Sequence, residues 1–395
     1  MNPLSDLLAL PEEEKSSRGL LYTPAEIAQQ PSTWPSTFIL FQERRDEIGN
    51  FLRAAGIQRD ADFRLTVFLV GAGTSDYIGR SLTQLLRRLW QCEVIAVPST
   101  DLLTNLQDWL VPGSRYLWIS FSRSGESPEG IAVLQKALES YPDIHHLIVC
   151  CNAQGRMLRE TTGCKKVLGI ALPDAVQDRG LAMTSSFSNM VIFGQCLANI
   201  ANPSAFEPIL DQLVESGKSF LEMAAESAAQ LASGPFKKAC FVGSGPLKAV
   251  AKESALKLLE LTSGKTQAMS ESALGLRHGP MAALDDETLF VAFLSGELAI
   301  QKYEIALLEE IGRKGLAKSR VVVCQSPSTQ IRDHADQILV HKTSAPFLDD
   351  YRPPLDVIFG QLLGLFFSMR WNLKPDNPSL NGAISRVVQN VLIHS

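Results

Sequence analysis

At 395 residues the chain is long enough for two domains of ordinary size, and with 45% hydrophobic and 20% charged residues its composition is globular. A formal net charge of -5 and the lack of any sustained Lys/Arg run argue against a nucleic-acid partner. No stretch reaches the ~18 uninterrupted apolar residues of a membrane span, and MNPLSDLLALPEEEK lacks the basic segment and apolar core of a signal peptide.

Residues 1–45 read as a helical preamble in which T-P-A-E at 23–26 looks like a capping box opening a helix. LTVFLVGAGTS at 65–75 is then a β-rich run that ends in glycines and opens a helix. Its glycines allow close backbone approach, and Thr74 or Ser75 can cap the helix and hydrogen-bond a ligand. A dinucleotide site would want G-x-G-x-x-G, but Asp76 stands where the third glycine belongs. Next come a helix through RSLTQLLRRLW, the strand CEVIAVP, a helix near 101–110 and the strand RYLWIS. That strand runs into SFSRSGES at 120–127, with four serines and one glycine in eight positions. Ser127 reads as an N-cap and Pro128 as the first residue of a helix near 128–140, before the strand HHLIVC. Hydroxyls gathered at a helix N-terminus, where unpaired N–H groups and the positive dipole end face outward, suit an anion. Two such loops fit a sugar phosphate monoester better than a dinucleotide.

The second half repeats the plan. KKACFVGSGPL at 237–247 echoes 65–75 with Gly243 in place of Gly71, an offset of 172. Ser295-Gly296-Glu297 echoes Ser124-Gly125-Glu126 at 171, and VVVC ending at Cys324 echoes LIVC ending at Cys150 at 174. Strand runs this apolar are buried on both faces, so each half is expected to be a mostly parallel sheet flanked by helices, an α/β three-layer sandwich of flavodoxin or Rossmann type. The expected domains are 46–203 and 204–395, with a boundary near Ala201-Asn-Pro-Ser204. In 252–280 the helix bearing Glu253, Lys257 and Glu260 puts all three on one face, which periodicity alone reads as a solvated stripe. The turn Gly275-Leu-Arg-His-Gly-Pro280 holds one loop histidine, a residue usually no more than superficial. Seven cysteines, mostly inside apolar runs and with no C-x-x-C, read as reduced thiols of a cytoplasmic protein. Six histidines form no cluster, so no metal or other cofactor is expected.

GAGTS, SRSGES, ESALKLLEL and RHGP, in this order, resemble the tandem sugar-isomerase (SIS) domains of the isomerase half of glucosamine-6-phosphate synthase. DRGLAMTSSFS (178–188), ESALKLLELTSGK, LRHGP with DDETL (285–289) and the tail NPSLNGAISRVVQNVLIH are more similar to the galactosamine-6-phosphate deaminase/isomerase (AgaS) family. The resemblance implies that Ser75, Ser122, Ser124 and Ser127, with Thr74 adjacent, hold the substrate phosphate. Arg123 stands where the synthase has glutamine, and a cation beside a phosphate is sensible there. Glu260 falls on the general base, with Lys257 one turn before it, and His278 on the ring-opening histidine. In the synthase that histidine comes from the neighbouring subunit, so a homodimer is implied. The Schiff-base lysine of the synthase tail has no counterpart here; Arg386 lies near its place, stays protonated, and could contact substrate only electrostatically.

With no cysteine before Cys92, no glutaminase domain is expected, and without its ammonia the synthetic direction is not expected either. What the resemblance implies is a deaminating aldose–ketose isomerase that turns galactosamine 6-phosphate into tagatose 6-phosphate and ammonia. A fructosamine-6-phosphate deglycase, a neutral sugar-phosphate isomerase and a non-catalytic sugar-phosphate sensor remain as alternatives.

Overall fold

The computed structural model describes residues 2–57, 65–379, 381–388 and 391–394; Leu380, Gln389 and Asn390 of the tail motif lie outside them. Helices α1 (Pro3–Leu8), α2 (Glu12–Arg18), α3 (Thr23–Ala28), α4 (Gln30–Glu43) and α5 (Arg45–Ala55) come before the first strand. The first sheet is built from β1 (Leu65–Gly71), α6 (Thr74–Trp90), β2 (Glu93–Pro98), α7 (Ser99–Trp109), β3 (Arg115–Ser122), α8 (Pro128–Ser140), β4 (His145–Cys150), α9 (Arg156–Arg159) and β5 (Val167–Ala171). After α10 (Ser185–Ala198) and α11 (Pro203–Ala232), the second is built from β6 (Lys238–Gly243), α12 (Pro246–Leu261), β7 (Gln267–Ser272), β8 (Thr288–Phe293), α13 (Leu298–Lys314), β9 (Ser319–Cys324), α14 (Thr329–His334) and β10 (Gln337–Val340), and α15 (Pro353–Arg370) follows.

Among the described residues there are two five-stranded sheets, ordered β2-β1-β3-β4-β5 and β7-β6-β8-β9-β10, and every pairing is parallel. Their strands have no solvent face to spare: all six residues of β8, and all of β3 after Arg115, are buried. In both sheets the chain leaves the second strand in the spatial order toward one side and returns on the other, so a topological switch point opens at the carboxyl ends of β1 and β3, and again at those of β6 and β8.

The chain forms two compact units: Met1–Ser32 with Arg179–Thr184 and Pro208–Ile384, and Thr33–Asp178 with Ser185–Glu207 and Ser385–Ser395. In the unit of the first sheet α10 packs against α6 so closely that a Cβ on Gly194 would lie 2.1 Å from Leu82. In the other unit α12 and α15 lie together, and α15 is buried without a break from Pro353 to Ser368. No helix among the described residues is long and apolar enough to cross a membrane.

Two local expectations need correcting. Thr23 is the first residue of α3, not its cap, and no side chain of that turn closes a capping box. The N–H groups of Leu21, Tyr22 and Thr23 donate instead to the carboxylate of Asp376, while Glu26 accepts from Gly180 N–H at 3.3 Å. A distant carboxylate has taken over the role of the local hydroxyl. Likewise neither Thr74 nor Ser75 caps α6; Gly73 does, at φ +56°, without a side-chain bond. Gly245 repeats that conformation at the start of α12, with φ 56° and ψ -130°.

Candidate active site

The candidate residues fall into two groups, one in each unit. In the first, the loops after β1 and β3 flank the switch point of the first sheet. Gly71 is there because α6 folds back over it: a Cβ would lie 2.4 Å from the carbonyl carbon of Ser75. Thr74 and Ser75, at 5% and 7% exposure, form the first turn of α6.

The serine loop is built to hold its hydroxyls still. Gly125 N–H donates to Ser122 Oγ at 2.9 Å, and Glu126 N–H donates to Ser124 Oγ at 3.1 Å. Both hydroxyls are thus fixed as acceptors, and their protons remain to be donated outward. Gly125, at φ +66°, turns the chain where a Cβ would meet Gly155 Cα at 2.9 Å. Ser127 caps α8 as expected, accepting from Gly130 N–H at 3.4 Å, with Pro128 in the first turn. Its own proton goes to Glu129 at 3.1 Å, so in this structure Ser127 serves the helix.

Three residues that the sequence analysis did not single out brace this loop or the tail beside it. Asn152 Nδ2 donates to the Ser124 carbonyl at 3.0 Å, and the Glu126 carboxylate accepts from Arg156 N–H at 3.0 Å. Asp178, fully buried, accepts from Ser185 N–H and Ser186 N–H at 3.0 and 2.9 Å, at the start of α10. An acidic residue seven positions before a serine pair was the available signal. Arg123, 6% exposed, donates to the backbone carbonyl of Arg386, which brings the tail to the serine loop. The Arg386 guanidinium does not reach toward the hydroxyls; its Nε donates to the Asp178 carbonyl at 2.9 Å. Behind the loop, burial pushes the Cys150 thiol up to about 11, so it stays protonated and unreactive.

The second group lies on α12. The stripe of Glu253, Lys257 and Glu260 is not solvated: Glu253 and Lys257 have no exposed side-chain surface, and Glu260 is 23% exposed. The Lys257 ammonium sits between the two carboxylates, 3.3 Å from Glu253 Oε1 and in direct contact with Glu260 Oε2. Helix α15 covers it. Added Cβ atoms would lie 2.8 Å from Ser254 Cα at Gly360 and 3.0 Å from the Lys257 carbonyl at Gly364, so these glycines let the helix backbones close over the lysine.

His278 is exposed, at the end of the short 3-10 turn Gly275–Arg277. That turn packs on the face of the second sheet opposite α12. Ala273, Leu276 and Leu284 join Cys240 and Val242 of β6 and Leu307, Leu308 and Ile311 of α13 in one core that contains no residue of α12. Arg277 Nε donates to Glu310 of α13 at 2.7 Å. Right-handed crossovers require this, because β6 to β7 and β7 to β8 run in opposite directions across the sheet. The fold therefore brings Lys257 and Glu260 together and leaves His278 of the same chain on the far face.

Residues 236–361 match the SIS domain family. Over 94% of this chain and 95% of the relative, the sequence is 34% identical to D-galactosamine-6-phosphate deaminase AgaS of Escherichia coli. The chain belongs to the AgaS family of SIS-domain proteins. Among solved structures, tagatose-6-phosphate ketose/aldose isomerase from Escherichia coli is similar with a TM-score of 0.85 and 30% identity, over 94% of this chain and 96% of that one. The C-terminal domain of glucosamine-fructose-6-phosphate aminotransferase from Francisella tularensis shares the fold, with a TM-score of 0.70 at 18% identity over 89% and 96% of the two chains. The two tandem α/β SIS domains expected from the sequence are the architecture found.

Proposed function

We propose that this protein is a deaminating aldose–ketose isomerase that converts galactosamine 6-phosphate and water to tagatose 6-phosphate and ammonia, acting in catalytic terms as a hydrolase of the C2–nitrogen bond. The observation that carries the reaction class is the Lys257–Glu260 pair: a partly exposed carboxylate held by a fully buried ammonium. The substrate follows from the name of the 34% identical relative. We read 1–45 as a preamble and 46–203 and 204–395 as two copies of the SIS plan, of which the first grips phosphate and the second supplies the base.

In this reading Ser75, Ser122 and Ser124 donate hydroxyl protons to the phosphate oxygens at the N-termini of α6 and α8, with Thr74, Arg123 and Ser127 lining the same loops. Arg386 positions Arg123 and the tail without touching substrate. His278 moves a proton from O1 to the ring oxygen and opens the pyranose. Glu260 takes the C2 proton and returns it to C1, and Lys257 keeps that carboxylate in place. The product of this shift is a C2 imine, and water adds across its C=N bond and expels ammonia, leaving the ketose. The separation of His278 from Glu260 by the second sheet supports a homodimer in which the turn of one subunit serves the substrate of the other. Buried free thiols at Cys150, Cys151, Cys196, Cys240 and Cys324 support a reducing, cytoplasmic setting.

The name of the solved neighbour favours a second reading, ketose–aldose isomerisation without deamination. A panel of galactosamine 6-phosphate, glucosamine 6-phosphate and tagatose 6-phosphate, assayed for ammonia and for ketose, separates the two. Ammonia released in step with tagatose 6-phosphate is the expected result. Interconversion of neutral sugars with no ammonia would replace the first reading by the second.

A further inference from the structure

The switch point of the second sheet, between the ends of β6 and β8, carries a turn like that of the first. Glu297 N–H donates to Ser295 Oγ at 3.0 Å, as Glu126 N–H does to Ser124 Oγ at 3.1 Å. Here, however, the outward donors are already taken. Ser295 Oγ donates to Asp349 Oδ2 at 2.5 Å, and Gly296 N–H donates to Asp349 Oδ1 at 2.9 Å. A guanidinium completes the set: Arg352, with no exposed surface, donates from Nη1 to the same Oδ1 at 2.8 Å and to the Leu294 carbonyl at 2.7 Å. Its Nη2 is held by Asp356 at 2.8 Å, and its buried Nε has no partner among the described residues.

A hydroxyl, a backbone N–H and a guanidinium converging on two anionic oxygens are the donors of a phosphate site. We propose that the switch point of the second sheet is a second anion site, suited to inorganic phosphate or the phosphate group of a phosphate monoester, which the chain fills with its own Asp349 carboxylate. The comparison rests on the reading of the first serine loop as a phosphate cradle. A Cβ on Gly296 would crowd Gln325 Nε2 at 3.0 Å, so the glycine leaves room for the side chain that holds the Asp349 segment. The segment that delivers it is clamped by Gln325, which donates to the Phe347 carbonyl at 3.0 Å and accepts from Phe347 N–H at 2.6 Å. Glu304 holds the turn from behind, accepting from Ser295 N–H at 2.8 Å. Burial raises its pKa, with the Asp349 charge adding to the shift.

Removing the plug should open the site. Equilibrium dialysis of the full-length protein against radiolabelled inorganic phosphate is expected to give one equivalent per chain for the wild type and two for Asp349→Ala. Asp349→Ala with Ser295→Ala should return to one, and Asp349→Asn, which fills the site without charge, should stay at one. Zero for the wild type and one for Asp349→Ala would sink the first-loop reading and leave this one standing. If Asp349→Ala loses stability, phosphate should raise its Tm, or its refolding yield, well beyond the gain it gives the wild type. Equal phosphate binding by wild type and Asp349→Ala, or no phosphate rescue of an unstable Asp349→Ala, would overturn the proposal.

Discussion

If the His278 turn of one subunit completes the site of another, two inactive variants should repair each other. The structure sets the size of the effect. Packed layers lie on the order of 10 Å apart, so α12 and the His278 turn, on opposite faces of one sheet, are separated by roughly two such layers. A sugar places its C2 and ring oxygen only one bond apart from a common carbon, too close for one chain's Glu260 and His278 to serve both. Glu260→Gln removes the base, and His278→Ala the proton shuttle, each expected to lower turnover by roughly 10²–10⁴-fold. In a hybrid dimer one site receives both lesions and the other receives neither. Co-expression with two different tags and purification over both should therefore yield hybrids with about half the wild-type ammonia release per dimer, from parents that are nearly inactive. A hybrid no more active than its parents would refute the shared site, and with it the topological reasoning that led to it.

Ser124→Ala removes one hydroxyl donor to a charged group, an interaction of about 1.5–3 kcal/mol, and should raise KM roughly 10- to 100-fold with kcat little changed, because the phosphate is held alike in ground and transition states; a kcat loss with constant KM would reassign it. Gly360→Ala forces a Cβ to within 2.8 Å of Ser254 Cα, and overpacking of this kind should cost about 1–3 kcal/mol in urea melts, with a midpoint equal to wild type counting against the close α12–α15 contact. His146 is fully buried beside Trp118, neither ring nitrogen has a partner among the described residues, and burial pushes its pKa down to about 3. The unfolded chain then binds one more proton than the folded one between pH 6.5 and 3, so this histidine costs stability as pH falls, about 2 kcal/mol between pH 7 and 5. His146→Phe should flatten the stability profile over that range, and an unchanged slope would contradict the burial argument.

Much of this was legible in the chain because it depends on local chemistry. Ser127-Pro128 announced a helix start, Gly71 marked a close backbone approach, and uninterrupted apolar strands required parallel sheets covered on both faces. What escaped was decided by distant partners. The Thr23 hydroxyl looked like a cap, yet Asp376 takes that role from 353 residues away. The Glu253–Lys257–Glu260 stripe looked solvated because periodicity shows which residues share a face but not what covers it. The answer lay in the nearly all-round apolar sequence of α15, with Gly360 and Gly364 spaced one turn apart. The short strands β5 and β10 have too few residues to stand out from their loops. Asp349 gave no signal, since its role exists only where the second sheet presents Ser295 and Gly296 to it.

The burial of that stripe raises a last question, whether Lys257 is there for stability or for chemistry. Taking Glu253 and Lys257 fully out of water costs several kcal/mol per ion, and their attraction returns it only with good geometry. Replacing such a pair by apolar residues of similar volume is often neutral or stabilising, whereas deleting one partner costs about 3–5 kcal/mol. Lys257→Met alone should therefore lower Tm, because Glu253 is left buried without its cation. Glu253→Leu combined with Lys257→Met should recover or exceed the wild-type Tm, because Glu260 retains access to water. The double variant should still lose C2-proton exchange, because the Glu260 carboxylate then lacks the ammonium that holds it in place. A double variant that remains unstable would make the lysine a structural element of the α12–α15 interface, and one that exchanges at the wild-type rate would remove Lys257 from the mechanism.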